Sequence, residues 1–279
     1  MPKEESKLTV ASNSNEMQDI AAALLLGKNK NFLDLGAGRA KGGNNTYLLQ
    51  KKLGWEGCCF DLREEGTPEN DESRFILNNG ETYKERGNTL HNVDCTTPAF
   101  LDILKENAFP QVVDYVSLDV DAASIEALIN LVLNGNYIFK FLTYEHDLHY
   151  SLSFENQRNK FKKGALNERL VYEGDDEESW PHPFSKAGIE SRKYRSKYIL
   201  EERGYRLLFE NVSVEVGGGL HPMEDWWINP QYFPPFITSA GGEGLHFSQC
   251  IQRLMPFSSH LHSEETFNSI KEHCFKKLP

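Results

Sequence analysis

Short apolar runs alternate with amphipathic stretches through the first half of the 279-residue chain. The apolar runs lack a clean apolar–polar alternation, as is typical of strands covered on both faces. They lie at 31–36, 57–61, 89–94, 112–121 and 137–145. The stretches between them carry apolar residues at helical spacing and lie at 45–54, 98–108 and 123–134. This alternation predicts an α/β fold, with a parallel sheet and helices on both faces.

The pattern becomes less regular after the fifth predicted strand. Residues 147–188 are mostly polar, so we expect an inserted loop or lid there. The remaining predicted elements are a helix at 189–205, two strands at 206–216 and 224–230 that pair with each other, and a terminal helix near 263–277. We expect a single domain over 1–279, with a core at about 30–230 and a C-terminal extension at 240–279.

Composition narrows the class of protein. A hydrophobic content of 39% and a charged content of 25% are typical of a globular protein, and no apolar run is long enough to cross a membrane. The polar first residues lack the apolar segment of a signal peptide. Five cysteines without a CxxC pair indicate reduced thiols and a cytoplasmic location, and they disfavour a cysteine zinc site. A net charge of −11 argues against a nucleic-acid partner.

An acid and a glycine-rich loop follow the first predicted strand, in the segment NFLDLGAGRAKGGNN. In an open parallel sheet, ligands bind beyond the carboxyl ends of the strands, and glycines let the backbone approach them. Asp61 ends the second strand, 61 − 42 = 19 residues after Gly42, close to the spacing of an acid that binds an adenosine ribose. Asp34, Gly36, Gly38 and Asp61 therefore predict a nucleoside cofactor.

The glycine spacing helps to choose between two cofactors. Gly36, Gly38 and Gly42 form GxGxxxG, one residue longer than the GxGxxG of dinucleotide sites. Asp34 also suits a cationic ligand better than a diphosphate. The balance favours S-adenosylmethionine. Asp94, at the end of the third strand, suits the adenine amine, and the alternative is a helix-capping or surface acid.

Several segments resemble the FkbM-type methyltransferases. The segment NNTYLLQKKLGWEGCCFD is similar to the sequence after the glycine loop in that family, and VDYVSLDVDAASIEAL is similar to its fourth strand. FLTYEHD and the pair GYRLLFENV and EDWWINP are similar to its fifth strand and final hairpin. The similarity covers about 31–146 and 190–230, and the loop GAGRAKGGNN is longer than the family's usual form.

The resemblance implies a Rossmann-like class I methyltransferase fold, with a mostly parallel seven-stranded sheet and a reversed last strand. It also implies methyl transfer from S-adenosylmethionine to a hydroxyl, on a sugar, glycan or glycosylated metabolite. By that matching, Asp34, Gly36 and Gly38 lie at the methionine end and Asp61 at the ribose. The full expected cofactor set is Asp34, Gly36, Ala37, Gly38, Asn45, Thr46, Asp61, Asp94 and Asp119.

Methylation of a weakly acidic hydroxyl needs a nearby base. His146, after the fifth strand, is the first candidate because a neutral imidazole is available near pH 7. Asp119, at the end of the fourth strand, is expected to orient the base or hold the sulfonium. Alternatively, Asp119, Asp121 and His146 hold Mg²⁺ or Mn²⁺. The expected acceptor-binding residues are Asp121, Glu145, Asp225 and Trp226.

Two other functions remain open from the sequence alone. One is a methyltransferase-like module that binds the cofactor without catalysis, and the other is an NAD-dependent oxidoreductase, which the glycine spacing disfavours. The expected partner is a small-molecule or glycan hydroxyl acceptor. The identity of that acceptor and the oligomeric state do not follow from the sequence.

Overall fold

The computed structural model describes residues 11–14, 16–62, 83–146, 148, 186–216 and 218–275. All of the predicted insert except 148 and 186–188 therefore lies outside the described residues, as do 1–10 and 276–279 of the two ends. Within the described part, the strands belong to one sheet. The strands are β1 (Asn31–Leu35), β2 (Glu56–Asp61), β3 (Leu90–Asn92), β4 (Val112–Leu118), β5 (Ile138–Glu145), β6 (Arg206–Val216), β7 (Gly219–Ile228) and β8 (Gly242–Glu243).

Helices precede and connect these strands. They are α1 (Gln18–Leu26), α2 (Tyr47–Leu53), α3 (Tyr83–Arg86), α4 (Ala99–Glu106), α5 (Ser124–Ile129), α6 (Lys186–Glu202), α7 (Phe247–Leu261) and α8 (Glu264–Cys274). A wider turn continues α5 over Asn130–Asn134, and short 3₁₀ turns lie at Asp121–Ala123, Pro230–Tyr232 and Pro235–Ala240. The predicted helices at 45–54, 98–108, 123–134, 189–205 and 263–277 correspond to α2, α4, α5, α6 and α8, whereas α1, α3 and α7 are additional.

The sheet is mixed and mostly parallel, with the order β3-β2-β1-β4-β5-β7-β6-β8. Strands β1 to β5 pair in parallel, and β7 lies antiparallel between β5 and β6. The expectation of seven strands is wrong by one. The eighth arises because Gly242 and Glu243, in the glycine-rich segment, pair in parallel with Phe209 and Glu210 of β6.

An apolar layer covers each face of the sheet. Because successive residues of a strand point to opposite faces, neighbours divide between the layers. Phe32 and Trp226 pack with α1, α2, α7 and α8. Leu33 and Trp227 pack on the other face with α4, α5 and α6. The predicted helices on both faces are therefore present, and both tryptophans are fully buried.

The strand order reverses between β1 and β4, which are neighbours although β2 and β3 follow β1 in the chain. Ligands of open α/β sheets bind at such a reversal, beyond the carboxyl ends of the strands. The residues of interest are therefore those that follow β1, β2, β4 and β5 at this edge.

Candidate functional site

The glycine loop, residues 36–43, passes between the ends of β2 and β4. The N–H groups of Gly36 and Ala37 donate to the carbonyl of Phe60 at 2.9 Å. A Cβ added to Gly36 would lie 1.6 Å from the carbonyl oxygen of Asp119, and its φ of +83° is one that side chains disfavour. Glycine is therefore required at the point where the loop leaves the sheet.

The glycine loop contacts the end of β2 through Gly38 and Asp61. The N–H of Gly38 donates to Oδ2 of Asp61 at 2.6 Å, which joins the loop to the end of β2. Among the described residues, no atom lies within 4 Å of a Cβ added to Gly38. The described part of the chain therefore leaves room beside Gly38, where its N–H meets the Asp61 carboxylate.

Asp34 is buried beneath the loop. Its Oδ2 accepts hydrogen bonds from Oγ1 of Thr46 at 2.7 Å and from Nδ2 of Asn44 at 3.4 Å. Burial raises the pKa of Asp34 to about 6, against the lowering by the Thr46 hydrogen bond and the Arg86 charge. Asn45 donates to Oγ of Ser117 at 2.9 Å. Asp34, Asn45 and Thr46 thus join the loop to the sheet.

Asp94 lies half-buried after β3, in the turn that leads into α4. Its Oδ1 accepts from the N–H of Thr96 at 2.8 Å, and its carbonyl accepts from the N–H of Thr97 at 3.2 Å. The carboxyl group thus stabilises the turn before α4, a role different from the helix-capping or surface acid that the sequence offered as the alternative. Contact with an adenine amine stays a prediction.

Asp119 and Glu145 are neighbours at the ends of β4 and β5, one residue beyond the paired Leu118 and Tyr144. Burial raises the pKa of Asp119, the Glu145 side chain lowers it, and the charges of Asp121 and Asp61 raise it further. The two carboxyl groups therefore form a pair at the carboxyl edge. Asp121 itself is exposed, with a left-handed φ of 47°.

His146 lies on the other face of the sheet from this pair. Its Nδ1 accepts from the N–H of Leu148 at 3.3 Å, and its Nε2 lies 3.7 Å from Oδ1 of Asp225. The side chains of His146 and Asp225 have no exposed surface. Burial alone would raise the pKa of Asp225, but His146, Lys193 and the N–H of Asn211 lower it. The sheet thus does not bring His146 together with Asp119.

The predicted metal ligands do not converge either. Within the described ranges, no three His, Cys, Asp or Glu side chains lie close enough together to hold an ion. Asp121 is exposed in the turn before α5, whereas the His146 ring is enclosed beside Asp225. The donor set of Asp119, Asp121 and His146 therefore does not fit Mg²⁺ or Mn²⁺.

Glu224 is the β7 residue on the same face as the Asp119–Glu145 pair, opposite Glu145 in the register. Its two carboxylate oxygens accept from Nε1 of Trp226 at 2.6 Å and Nε2 of Gln18 at 3.1 Å. Burial raises the pKa of Glu224 to about 8 and that of Glu16 to about 7. The buried Trp226 indole therefore faces Glu224.

Sequence reasoning overlooked Glu16, Gln18 and Glu224 as site residues. In the segment EDWW it selected Asp225 and Trp226. The alternation of a strand carries a usable signal, because Glu224 shares a face with Trp226 and Asp225 does not. Tyr83 and Arg86, which contact the glycine loop from α3, were also overlooked, and no periodic pattern marks them.

Among the residues that the structure describes, no helix combines the length and apolar character needed to cross a membrane.

Comparison with known proteins adds little to this geometry. No known family model and no curated protein matches the chain, so the FkbM resemblance is without support from them. Among solved structures, the small RNA methyltransferase HEN1 is similar, with 11% identity and a TM-score of 0.38. The match covers 76% of this chain and 24% of the HEN1 chain, so the matched part is about a quarter of the length of HEN1. A similarity of this size carries no conclusion about activity.

Proposed function

We propose that the chain is an S-adenosylmethionine-dependent methyltransferase whose cofactor lies over the carboxyl ends of β1, β2 and β4. The observation that carries the proposal is the approach of the loop to two strand ends. Gly36 abuts the Asp119 carbonyl, and the N–H of Gly38 donates to Asp61 at the end of β2. This is the location expected for a ligand at a reversal of strand order.

Each strand end has a proposed contact with the cofactor. Asp61 binds the ribose diol, since its carboxylate lies at the end of β2 where the glycine loop meets it. The methionine end lies over Asp34, Gly36, Ala37 and Gly38, with the loop fixed by Asn45 and Thr46. Asp94 borders the adenine.

The proposed acceptor is a hydroxyl group of a sugar, glycan or glycosylated metabolite, as the resemblance over 31–146 and 190–230 implies. In the transfer, a bond forms between the acceptor oxygen and the methyl carbon while the sulfur–methyl bond breaks. Its electron pair goes to sulfur and yields S-adenosylhomocysteine. The hydroxyl proton must go to a base in the transition state.

We assign that base to the Asp119–Glu145 pair. The pair lies at the carboxyl edge beside the loop, and an ionised carboxylate of the pair accepts the hydroxyl proton. His146 and Asp225 pack together on the opposite face and support the end of β5. Asp121 borders the acceptor, and Trp226 supports Glu224 from the core.

A methyl-transfer assay tests the function. The chain is incubated with S-adenosylmethionine and a panel of free and glycosidic sugars, and both S-adenosylhomocysteine and the methylated product are measured. We expect product with at least one sugar hydroxyl, unaffected by a chelator, and none with Asp119→Asn, which should still bind the cofactor. Cofactor binding without transfer to any acceptor class would contradict the catalytic proposal and favour a binding module.

A further inference from the structure

We infer that Tyr83 and Arg86 are positioning residues that hold the glycine loop in its cofactor-binding form. This inference rests on the proposed function, and it extends that function to a helix outside the cofactor motif. The two residues, called the clasp below, begin and end α3. Both are buried, with 8% and 2% of their surfaces exposed.

Tyr83 places a single hydroxyl against three successive carbonyl groups of the loop. The distances from its oxygen are 3.1 Å to Ala37, 3.3 Å to Gly38 and 3.3 Å to Arg39. Asn44 also contacts this hydroxyl, at 3.4 Å, and donates to the Ala37 carbonyl at 2.9 Å. A hydroxyl has one proton to share among these acceptors, so without it the buried carbonyls lose a common donor.

Arg86 binds the next part of the loop. Its guanidinium donates to the Ala40 carbonyl at 3.1 Å, to Oδ1 of Asn44 at 2.8 Å and to Oγ1 of Thr46 at 2.7 Å, and its Nε donates to Gln50 at 2.6 Å. The rings of Phe32, Tyr47 and Tyr83 surround it, with centroids 5.5–5.8 Å from the guanidinium carbon. Thr46 in turn donates to Asp34, so the guanidinium reaches β1 through one hydroxyl.

The clasp determines which way the loop's peptide groups face. The carbonyls of residues 37–40 all point toward α3. In a planar trans peptide the N–H points opposite to the carbonyl, and the described residues contain no cis peptide bond. The N–H groups of residues 38–41 therefore point away from α3, and that of Gly38 meets Asp61. Within the loop segment GAGRAKGGNN, the side chain of Asn44 donates to the Ala37 carbonyl alone of these four, so the clasp supplies the donors for the other three.

Two conservative substitutions and a matched control test the inference. Tyr83→Phe removes only the hydroxyl, and Arg86→Lys keeps the charge but not the forked set of donors. Tyr205→Phe is the control, because it also removes a buried hydroxyl. That hydroxyl accepts from the N–H of Phe139 at 3.1 Å, where β5 begins at the opposite edge of the sheet.

The measurements are calorimetric titration with S-adenosylhomocysteine and hydrogen exchange of the peptide covering 36–45, at a temperature where every variant is folded. We expect Tyr83→Phe and Arg86→Lys to weaken binding about tenfold, as for one to two lost buried hydrogen bonds. We also expect both to speed exchange in 36–45. The Tyr205→Phe control should lower stability without changing the affinity for S-adenosylhomocysteine or the exchange rate in 36–45. If the clasp had only a structural role, its variants would behave like this control.

The outcomes separate the inference from the proposed function. If the wild-type chain binds S-adenosylhomocysteine and both clasp variants bind it as tightly, with unchanged exchange in 36–45, the inference is overturned and the proposed function stands. If the wild-type chain does not bind it at all, the proposed function fails and takes the inference with it.

Discussion

Burial raises the pKa of three carboxyl groups near the carboxyl edge of the sheet. Burial raises the pKa of Glu224 to about 8, of Glu16 to about 7 and of Asp34 to about 6. Asp119 adds its charge to the environment of each of them. The protonation of Asp119 therefore affects the pKa of each of these carboxyl groups. Raised pKa values of this kind are common at functional sites.

The raised pKa of Glu224 predicts a pH dependence of stability. The pKa rises from an ordinary 4.5 to about 8 on folding, so the folded chain binds more protons between these values. The contribution to the free energy of unfolding is fully present below about pH 4.5 and is lost as the pH rises through about 8. Glu224→Gln should remove this dependence. Urea unfolding at pH 5.5, 7 and 8.5 should therefore show the free energy of unfolding of the variant increasing relative to that of the wild type as the pH rises.

Glu215→Gln is the matched control for that series, because Glu215 is exposed on β6. Its profile should run parallel to that of the wild type. A Glu224→Gln profile that also runs parallel would show that Glu224 does not change its protonation in this range.

The Asp61 carboxylate should dominate cofactor affinity. Asp61→Ala removes a charged acceptor from the end of β2, and a lost charged hydrogen bond costs on the order of 1.5–3 kcal/mol. We expect S-adenosylhomocysteine to bind roughly 10–150-fold more weakly, as titration calorimetry would measure. Asp102→Ala, at an exposed ion pair on α4, should leave affinity unchanged. Equal affinity of the Asp61→Ala variant and the wild type would remove Asp61 from the site.

At the scale of elements, the glycine loop is the segment where the backbone geometry constrains the proposed cofactor site. The N–H of Asp119 donates to the Leu35 carbonyl at 2.9 Å, so the ends of β1 and β4 are joined where the loop departs. A side chain at Gly36 would separate them, because its Cβ would overlap the Asp119 carbonyl. The proposed cofactor site and the pairing of β1 with β4 therefore depend on the same glycine.

Gly36→Ala and Gly204→Ala separate backbone strain from this contact. Both glycines have nearly the same φ, +83° and +82°, but among the described residues no atom lies within 4 Å of a Cβ at Gly204. Gly204→Ala should cost about 1–2 kcal/mol for the left-handed conformation alone and keep cofactor affinity. Gly36→Ala should cost more in thermal unfolding and abolish binding. Equal losses in both variants would contradict the close contact at Gly36.

The elements differ in how well the sequence predicts them. Strands β1 to β7 follow apolar runs, with bounds that shift by a few residues, because buried strands need such runs. Helix α1 was overlooked because all nine of its residues are buried, so it has no polar face to reveal a period. Helix α7 has His246 as its N-cap, an uncommon residue at that position. It also contains Pro256, and proline normally marks the end of a helix.

The site residues were predictable from the sequence only where an apolar run marks the end of a strand. Gly36, Gly38 and Asp61 follow apolar runs, and parallel strands bring such ends to one edge. The face on which each side chain lies depends on strand pairing. Glu145 and Glu224 therefore share one face, and His146 and Asp225 the other. Tyr83 and Arg86 lie on a helix of four residues, too short for any periodic signal.

At the scale of the whole molecule, the strand order explains why these residues meet. The reversal between β1 and β4 brings the residues that follow both strands to the carboxyl edge, and the antiparallel β7 brings Glu224 next to the end of β5. Helix α1 extends the same edge, because Gln18 at its start donates to Glu224. Parts of the chain more than two hundred residues apart thus border one proposed site.

The most direct test of the central claim is calorimetric titration of the wild-type chain with S-adenosylhomocysteine, with NAD⁺ as the control and with and without Mg²⁺. We predict micromolar binding of S-adenosylhomocysteine, the same with and without Mg²⁺, and no binding of NAD⁺. Absence of S-adenosylhomocysteine binding under both conditions would contradict the proposed cofactor, and with it the proposed methyl transfer.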